Sequence, residues 1–496
     1  MTFPGGKNLA VLPVGTVLRM QGVCPEGWVK IDGQESTTAQ FLTSVPLYEL
    51  SLYNADKNNM FDAPALVPFP DGSAFYPAGG IPNFAKINPL TGTASATASP
   101  HANFTNVLQM MIGKVGDYQA YIYDDGYCQI YNIRTNTWGP IHTIVPGGVY
   151  SSTSTPGFST RLSPAVIDLG NGDALLLRAS TSTNVDRWNG ATQTWTGVVT
   201  VPNLTNSIDG GVLLSNGSVY IIGLDGKGVV FNPYTNAASA LDTVICSYAG
   251  INSGCQGDAR IFATPNDQVV YLQNNSTNGT ANCQVREAGG TWTANTARSS
   301  SGSGPSAYPL GGCAIVGNLP NGDVFFSAGC ANANAFGTCS GIWSITTKTA
   351  TFSGPGTYSN NLVMLDQYTV LAVAYPNATA WNALTNTNKN IPLGTSGSYR
   401  HLFKLDDSSF ARFSYVDTST TPMVQLYNWI TGFVSTIGNK TSNFGSIASY
   451  GIDGRQRKFA NCGVTWNNNS GLSYWMPEQS IKALKDGLCF FARKIS

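Results

Sequence analysis

The sequence predicts an all-β fold: a β-propeller of about seven or eight four-stranded blades, with a small α+β collar-like module formed by the chain termini. Three observations lead there. A unit of four short apolar runs recurs along most of the chain with its internal order intact. The runs are separated by Asn-Gly, Pro-Asn-Gly and Thr-Asn-Thr turns rather than by helical periodicity. The composition is 42% hydrophobic and 11% aromatic but only 11% charged, with 54 glycines in 496 residues. That is enough apolar material for a core and an unusual number of turns.

The clearest copy of the unit runs from Gly311 to Gly354. Cys313 to Val316 leads into a turn at Pro320 to Gly322, a second apolar run covers Asp323 to Ala328, and a third, Gly341 to Thr346, carries Trp343. Asn-Gly between two such runs is a hairpin signal, because the turn needs positive φ and both residues tolerate it. Similar units start near Leu66, Val107, Ser163, Ser207, Ala259, Gly311, Asn360 and Ser398. Most close with a third run of one type, such as QIYNIRTNTWG, VDRWNGATQTWTG, VVFNPYTNAAS and IWSITTKTATFSG. A β-sandwich or β-solenoid also uses many short strands, but neither requires this repeated order. The expected division is an attachment module over residues 1–64, the propeller over 65–445, and a C-terminal segment over 446–496 that packs back on the first.

The formal net charge is zero, so a basic nucleic-acid-binding face is not expected. No stretch reaches the length of a membrane span. The first residues, with an apolar run broken by Pro13, do not read as a signal peptide.

The first sixty residues differ from the rest. Val14 to Met20 alternates as a strand, Pro25-Glu26-Gly27 is a turn, and Trp28 is expected to plug a very small core. Ser36 to Leu50 is the best helix candidate, with Ser36 or Thr37 as cap and Pro46 as an interruption. Pro13, Gly15 and Thr16, then Pro25, Gly27 and Trp28, then Asp32, Gly33 and Gln34, in this order, resemble the phage tail-collar family, whose pattern is "P-x-G-T", "P-x-G-W" and "DGQ". Tyr48 to Leu50 and Phe61 to Pro64 are similar to the family's following segments, whereas its "D-L-R-G-R-F" element is missing. The resemblance implies a tailed-phage tail fibre or appendage protein, a virion component made in the host cytoplasm. Its partners would be other tail proteins and a host surface glycan or protein, and a homo-oligomer is compatible with it.

At the other end, Pro477 to Asp486 reads as a short helix and Leu488 to Ile495 as a final strand. Both ends are too poor in apolar residues to stand alone, so this strand is expected to pair with the N-terminal segment. Arg455, Arg457 and Lys458 form the densest basic cluster, read as a solvated turn.

Ten cysteines include no CxxC pair, so zinc-ribbon spacing is absent. Cys246 with Cys255, and Cys330 with Cys339, each flank one loop and are the candidate disulfides; buried free thiols are the alternative. The three histidines, His101, His142 and His401, lack metal-ligand spacing. Asp71, Asp173, Asp267 and Asp323 sit at blade turns and are read as turn caps rather than catalysts. No catalytic residue, cofactor site or metal site is nominated. The expected role is binding, through loops such as Val149 to Thr160 and Ala331 to Thr338. A glycan-cleaving enzyme and a purely structural propeller remain as alternatives on the same scaffold.

Overall fold

The structure is a computed structural model. It describes residues 17–19, 28–31, 48–49, 67–69, 73–77, 84–87, 94–97, 100–101, 111–124, 127–143, 166–178, 182–223, 225–243, 259–275, 280–293, 296–299, 314–327, 340–351, 363–374, 377–392, 399–414, 424–437, 442–448, 463–468, 473–477 and 490–493. The described residues contain strands and turns and no helix.

Between residues 67 and 437 the chain forms eight antiparallel sheets in succession, each from consecutive strands. They are blade 1 (67–96), blade 2 (111–143), blade 3 (166–200), blade 4 (208–231), blade 5 (259–299), blade 6 (314–351), blade 7 (363–392) and blade 8 (399–437). All eight expected units are therefore sheets. First strands of successive blades touch in most pairs, as Met111–Val115 touches Val166–Gly170 and the latter touches Ile208–Leu213. The first strand of each blade is thus the inner one, and its last strand lies at the rim, which is the arrangement of a β-propeller.

Blade 4 has only three strands, its fourth reduced to a single bridge between Phe231 and Ala238. The segment after its turn, Ala237-Ala238-Ser239-Ala240, is poor in the residues that favour strands. Blade 2 adds a short strand, His142–Thr143, against Tyr127 and Cys128 of its third strand.

The core lies in the seams. Between blades 2 and 3, Val115, Ile130, Leu176 and Trp188 pack together. Phe262, Val270, Val324, Phe326 and Trp343 fill the seam between blades 5 and 6. The strands read as nearly continuous apolar runs, as in Val219–Gly223 with every residue buried, because both faces of a blade are covered by neighbours.

Two expectations are corrected. Residues 442–477, set apart as an atypical tail from 446 onward, contain Ser442–Ala448, Gly463–Asn468 and Ser473–Pro477 as three strands of a ninth sheet with the blade order. The long insertion 449–462 replaces the tight turn between its first two strands and hid the repeat. Its fourth strand is Tyr48–Glu49, paired with Trp475 and Tyr474. Those two residues are therefore extended and not the end of a helix, in keeping with Pro46 just before them. A strand from ahead of blade 1 thus completes the last sheet and ties the two ends of the series together.

Phe490–Arg493 lies between Val17–Arg19 and Trp28–Ile31 and pairs antiparallel with both. The two chain ends thereby share one small sheet. The rest of the expected helices, Ser36 to Leu47 and Glu478 to Asp486, lies outside the described residues.

Candidate functional site

Strand direction alternates, so the turns between first and second strands and between third and fourth strands share one end of the propeller. The connections between second and third strands, and from blade to blade, leave from the other. The first end is built from two repeated turns whose geometry follows from a few residue types.

In blades 2, 3 and 7 the third-to-fourth turn reads aromatic-Asn-x-x-Thr-x-Thr, and blades 4, 6 and 8 each depart from it at one position. The Asn side-chain oxygen accepts from the two N–H groups that follow in the turn, as Asn189 does from Ala191 (3.0 Å) and Thr192 (2.9 Å), and Asn382 from Leu384 and Thr385 (3.0 Å each). The two threonines bond each other across the turn at 2.7 Å in Thr192–Thr194 and Thr385–Thr387. The residue after the first threonine has positive φ: 58° at Asn136, 55° at Gln193, 56° at Lys348, 53° at Asn386 and 78° at Gly432. Asn and Gly accept that conformation readily, but Gln and Lys pay a steric cost there.

The same slot decides where the buried aromatic finds a hydrogen-bond partner. With Asn in the slot, the partner is local: Trp381 Nε1 donates to Asn386 Oδ1 at 3.1 Å, and the Tyr131 hydroxyl donates to Asn136. With Gln193 or Lys348 there, a glutamine of the preceding blade replaces it. Trp188 Nε1 donates to Gln119 Oε1 at 2.7 Å, and Trp343 Nε1 to Gln268 Oε1 at 3.2 Å. Burial pushes the Tyr131 hydroxyl up to about 12.

The turn carboxylates bond neighbouring turns. Asp173 Oδ1 accepts from the Gly190 N–H at 2.8 Å, and Asp323 Oδ1 from the Ile345 N–H at 3.1 Å, in equivalent places. Asp267 of blade 5 accepts from the Ser215 N–H of blade 4 at 2.7 Å and also from the Ser215 hydroxyl. Asp71 lies outside the described residues.

Two seams hold buried charge. Between blades 4 and 5, Arg286 reaches Asp242 through Nε (3.0 and 3.1 Å) and Nη2 (2.8 Å). The Tyr220 hydroxyl (2.7 Å) and Trp292 Nε1 (3.3 Å) donate to the same carboxylate, and the guanidinium stacks over the Tyr220 ring. Arg286 occupies the position that other blades fill with the buried aromatic, and Glu287 stands where most of them have Asn.

Between blades 2 and 3, Asp186 is fully buried and paired with Arg178 through Nε and Nη2. His142 Nε2 lies 3.2 Å from both Asp186 Oδ2 and Arg178 Nη2, and its ring stacks on Trp195. Burial pushes the Asp186 carboxyl up, but the hydrogen bonds and charges of His142 and Arg178 outweigh it and hold the group below its ordinary value of 3.8. Burial, and then the Asp186 charge, push the nearby Cys128 thiol up. This thiol is a neutral packing group rather than a nucleophile.

The backbone N–H of His101 donates to Gln129 Oε1 at 3.0 Å, and its ring stacks on Tyr127; His401 lies in the first strand of blade 8. Among the described residues no group of three His, Cys, Asp or Glu side chains is arranged to hold a metal ion. Of the attachment residues, Trp28 opens a strand paired with Arg493. Pro13, Gly15, Pro25, Gly27, Asp32 and Gly33 lie outside the described residues, as do Cys246, Cys255, Cys330, Cys339, the two candidate binding loops and the Arg455–Lys458 cluster. The strands that flank both loops place their departures at the end opposite the tight turns.

Sequence reading missed Asp186, Arg178, Asp242, Arg286, Gln119 and Gln268. One signal was present: a Gln stands at or just before the start of a blade's second strand where the next blade has Gln or Lys, not Asn, at the positive-φ position of its turn. The other was Arg286 breaking the aromatic-Asn pattern.

No protein-family model matches the chain, and no curated protein sequence gives a significant match. Solved structures similar to it include BamB from Moraxella catarrhalis, with 12% identity over 87% of this chain and 99% of that one, at a TM-score of 0.43. A structure described as streptogramin B lyase shares 9% identity over 74% of this chain and 93% of that one, at 0.36. A chain of the mitotic checkpoint complex shares 9% identity over 92% and 98%, at 0.33.

Proposed function

We propose that this chain is a non-enzymatic virion protein of a tailed phage, a tail-fibre or appendage component. It attaches through its terminal module to other tail proteins and presents its propeller to a host surface glycan or protein. The observation that carries this reading is the small sheet in which Phe490–Arg493 pairs with Val17–Arg19 and Trp28–Ile31. Of the tail-collar-like residues, Pro25 and Gly27 fall between the two N-terminal strands, Trp28 opens the second, and Pro13, Gly15, Asp32 and Gly33 flank the pair in sequence. A module made from both chain ends leaves everything between them as one projecting unit, which suits attachment at one point and exposure elsewhere.

The asymmetry of the propeller ends supports a binding role. In blades 1 to 8 one end carries the short hydrogen-bonded turns, and the other gives rise to the long connections, where binding residues concentrate in proteins generally. The turn carboxylates Asp173, Asp267 and Asp323 serve their neighbours' N–H groups.

The test is location followed by binding. Antibody against the chain should decorate the tails of purified particles in electron micrographs, and the purified chain should bind host cells without removing surface polysaccharide. Label on the capsid alone, or none, would refute the attachment reading. Loss of polysaccharide would replace the adhesin with an enzyme.

A further inference from the structure

We propose that the rim of blade 8 is a self-association surface, at which two copies of this chain pair about a two-fold axis. The exposed large apolar residues are not scattered evenly over the described surface. Leu384 (71% exposed), Ile430 (58%), Phe433 (66%) and Val434 (44%) all lie on the outer turns and outer strand of blades 7 and 8. The two turns are tied together: the Lys389 ammonium of blade 7 donates to the carbonyls of Trp429 (2.6 Å) and Ile430 (3.0 Å) in the turn of blade 8. Together these side chains expose about 400 Å² of apolar surface, a patch large enough on a monomer to mark an interaction site.

The patch continues onto an open sheet edge. Val434–Ile437 is the last strand of blade 8 and pairs, among the described strands, only with Val424–Asn428. Its sequence, Val-Ser-Thr-Ile, has no charge and no proline, the usual devices that keep a free edge from pairing. By contrast, the corresponding strand of blade 7, Thr387–Pro392, carries both Lys389 and Pro392.

The occupant follows from symmetry and charge. An antiparallel edge beside an apolar patch is self-complementary, because a two-fold axis brings the same strand and the same side chains together from the other copy. The Lys389 cation beside it is already committed to two carbonyls, and the chain has zero net charge, so copies do not repel. The patch supplies about half of the ~800 Å² per partner typical of a stable interface; the paired strand edges and surrounding turns supply the remainder.

Sedimentation equilibrium of the full chain tests this. The expected result is the mass of two chains, falling to one on dilution, with Phe433→Asp and Ile430→Asp each weakening association at least tenfold while the thermal midpoint stays unchanged. Val198→Asp, at an exposed apolar residue of blade 3, should leave the dimer intact. Hydrogen exchange should show the amides of residues 434–437 protected only at concentrations where the dimer forms. The mass of one chain at every concentration would overturn the proposal and give the patch to a different protein. So would a dimer insensitive to both blade 8 substitutions, one broken by Val198→Asp, or one whose edge amides exchange freely.

Discussion

The seam between blades 4 and 5 and the seam between blades 2 and 3 each bury an aspartate against an arginine, yet they close it differently. Asp242 is enclosed: a side-on arginine, a tyrosine hydroxyl and an indole N–H all donate to it, and Arg286 and Asp242 are 4% and 1% exposed. Asp186 is as buried, but its arginine is shared with His142, which reaches the edge of the seam at 14% exposure. The lesson is one of stakes. An enclosed pair costs most when one partner is lost, because the remaining charge cannot find water. A pair with an opening toward solvent tolerates the same loss better.

The largest expected effect is therefore at Asp242. Asp242→Ala strands the Arg286 charge and leaves the Tyr220 hydroxyl and Trp292 N–H without their acceptor, and should cost about 3–5 kcal/mol in urea unfolding. Asp242→Leu combined with Arg286→Met should recover most of that loss, since apolar groups of similar size remove both buried charges. If the double variant is no better than Asp242→Ala, the pair is needed for shape and not merely for mutual compensation.

The next effect in size is at Asp186. Asp186→Asn should cost about 2 kcal/mol at neutral pH, in the range of hydrogen bonds to charged groups. It also has a pH signature. The folded state holds this carboxyl below 3.8, so the unfolded state takes up its proton first as pH falls. The stabilisation is fully present above that ordinary value, begins to fall near it, and is gone below the depressed folded value. The difference between wild type and Asp186→Asn should thus stay constant from pH 7 to 5 and shrink below about 4. A difference that grows toward acid would reverse the sign and remove His142 and Arg178 as the cause.

These two seams also mark the limit of what the sequence made legible. All eight blade units could be read, because a turn such as Pro320-Asn321-Gly322 is local chemistry that needs no knowledge of the fold. The ninth sheet could not, because residues 449–462 replace its first turn and its outer strand comes from Tyr48–Glu49, far away in sequence. Asp186 and Asp242 were invisible for a related reason. Each is an ordinary polar residue in its own segment, and its seam forms only when a neighbouring blade packs against it. Of the candidate attachment residues, Trp28 alone is among the described residues, where it opens a strand.

A smaller contrast lies in the two glutamines that serve a neighbour's tryptophan. Gln119→Ala and Gln268→Ala each leave a buried indole N–H without its acceptor, at a cost of about 1–2 kcal/mol. The Gln119 variant should lose more, since its bond to Trp188 is 2.7 Å against 3.2 Å for the bond from Trp343. Equal losses would mean that packing around the glutamine, and not the hydrogen bond, sets the effect. Urea midpoints measured side by side distinguish the two.

The smallest effect is a change of sign within one repeated turn. Gln193 and Asn386 occupy the same slot at φ of 55° and 53°. Gln193→Gly removes the cost of holding a long side chain in the left-handed region, and its tryptophan is already satisfied by Gln119. The variant should be more stable by about 0.5–1 kcal/mol after allowing for the extra freedom of glycine in the unfolded chain. Asn386→Gly gains less, because asparagine tolerates this conformation, and it removes the oxygen that accepts from Trp381 Nε1. That variant should be destabilised by about 1 kcal/mol. Thermal midpoints moving in opposite directions would show that one slot performs two jobs, setting the backbone and answering the indole. A shift of the same sign in both would leave only the backbone.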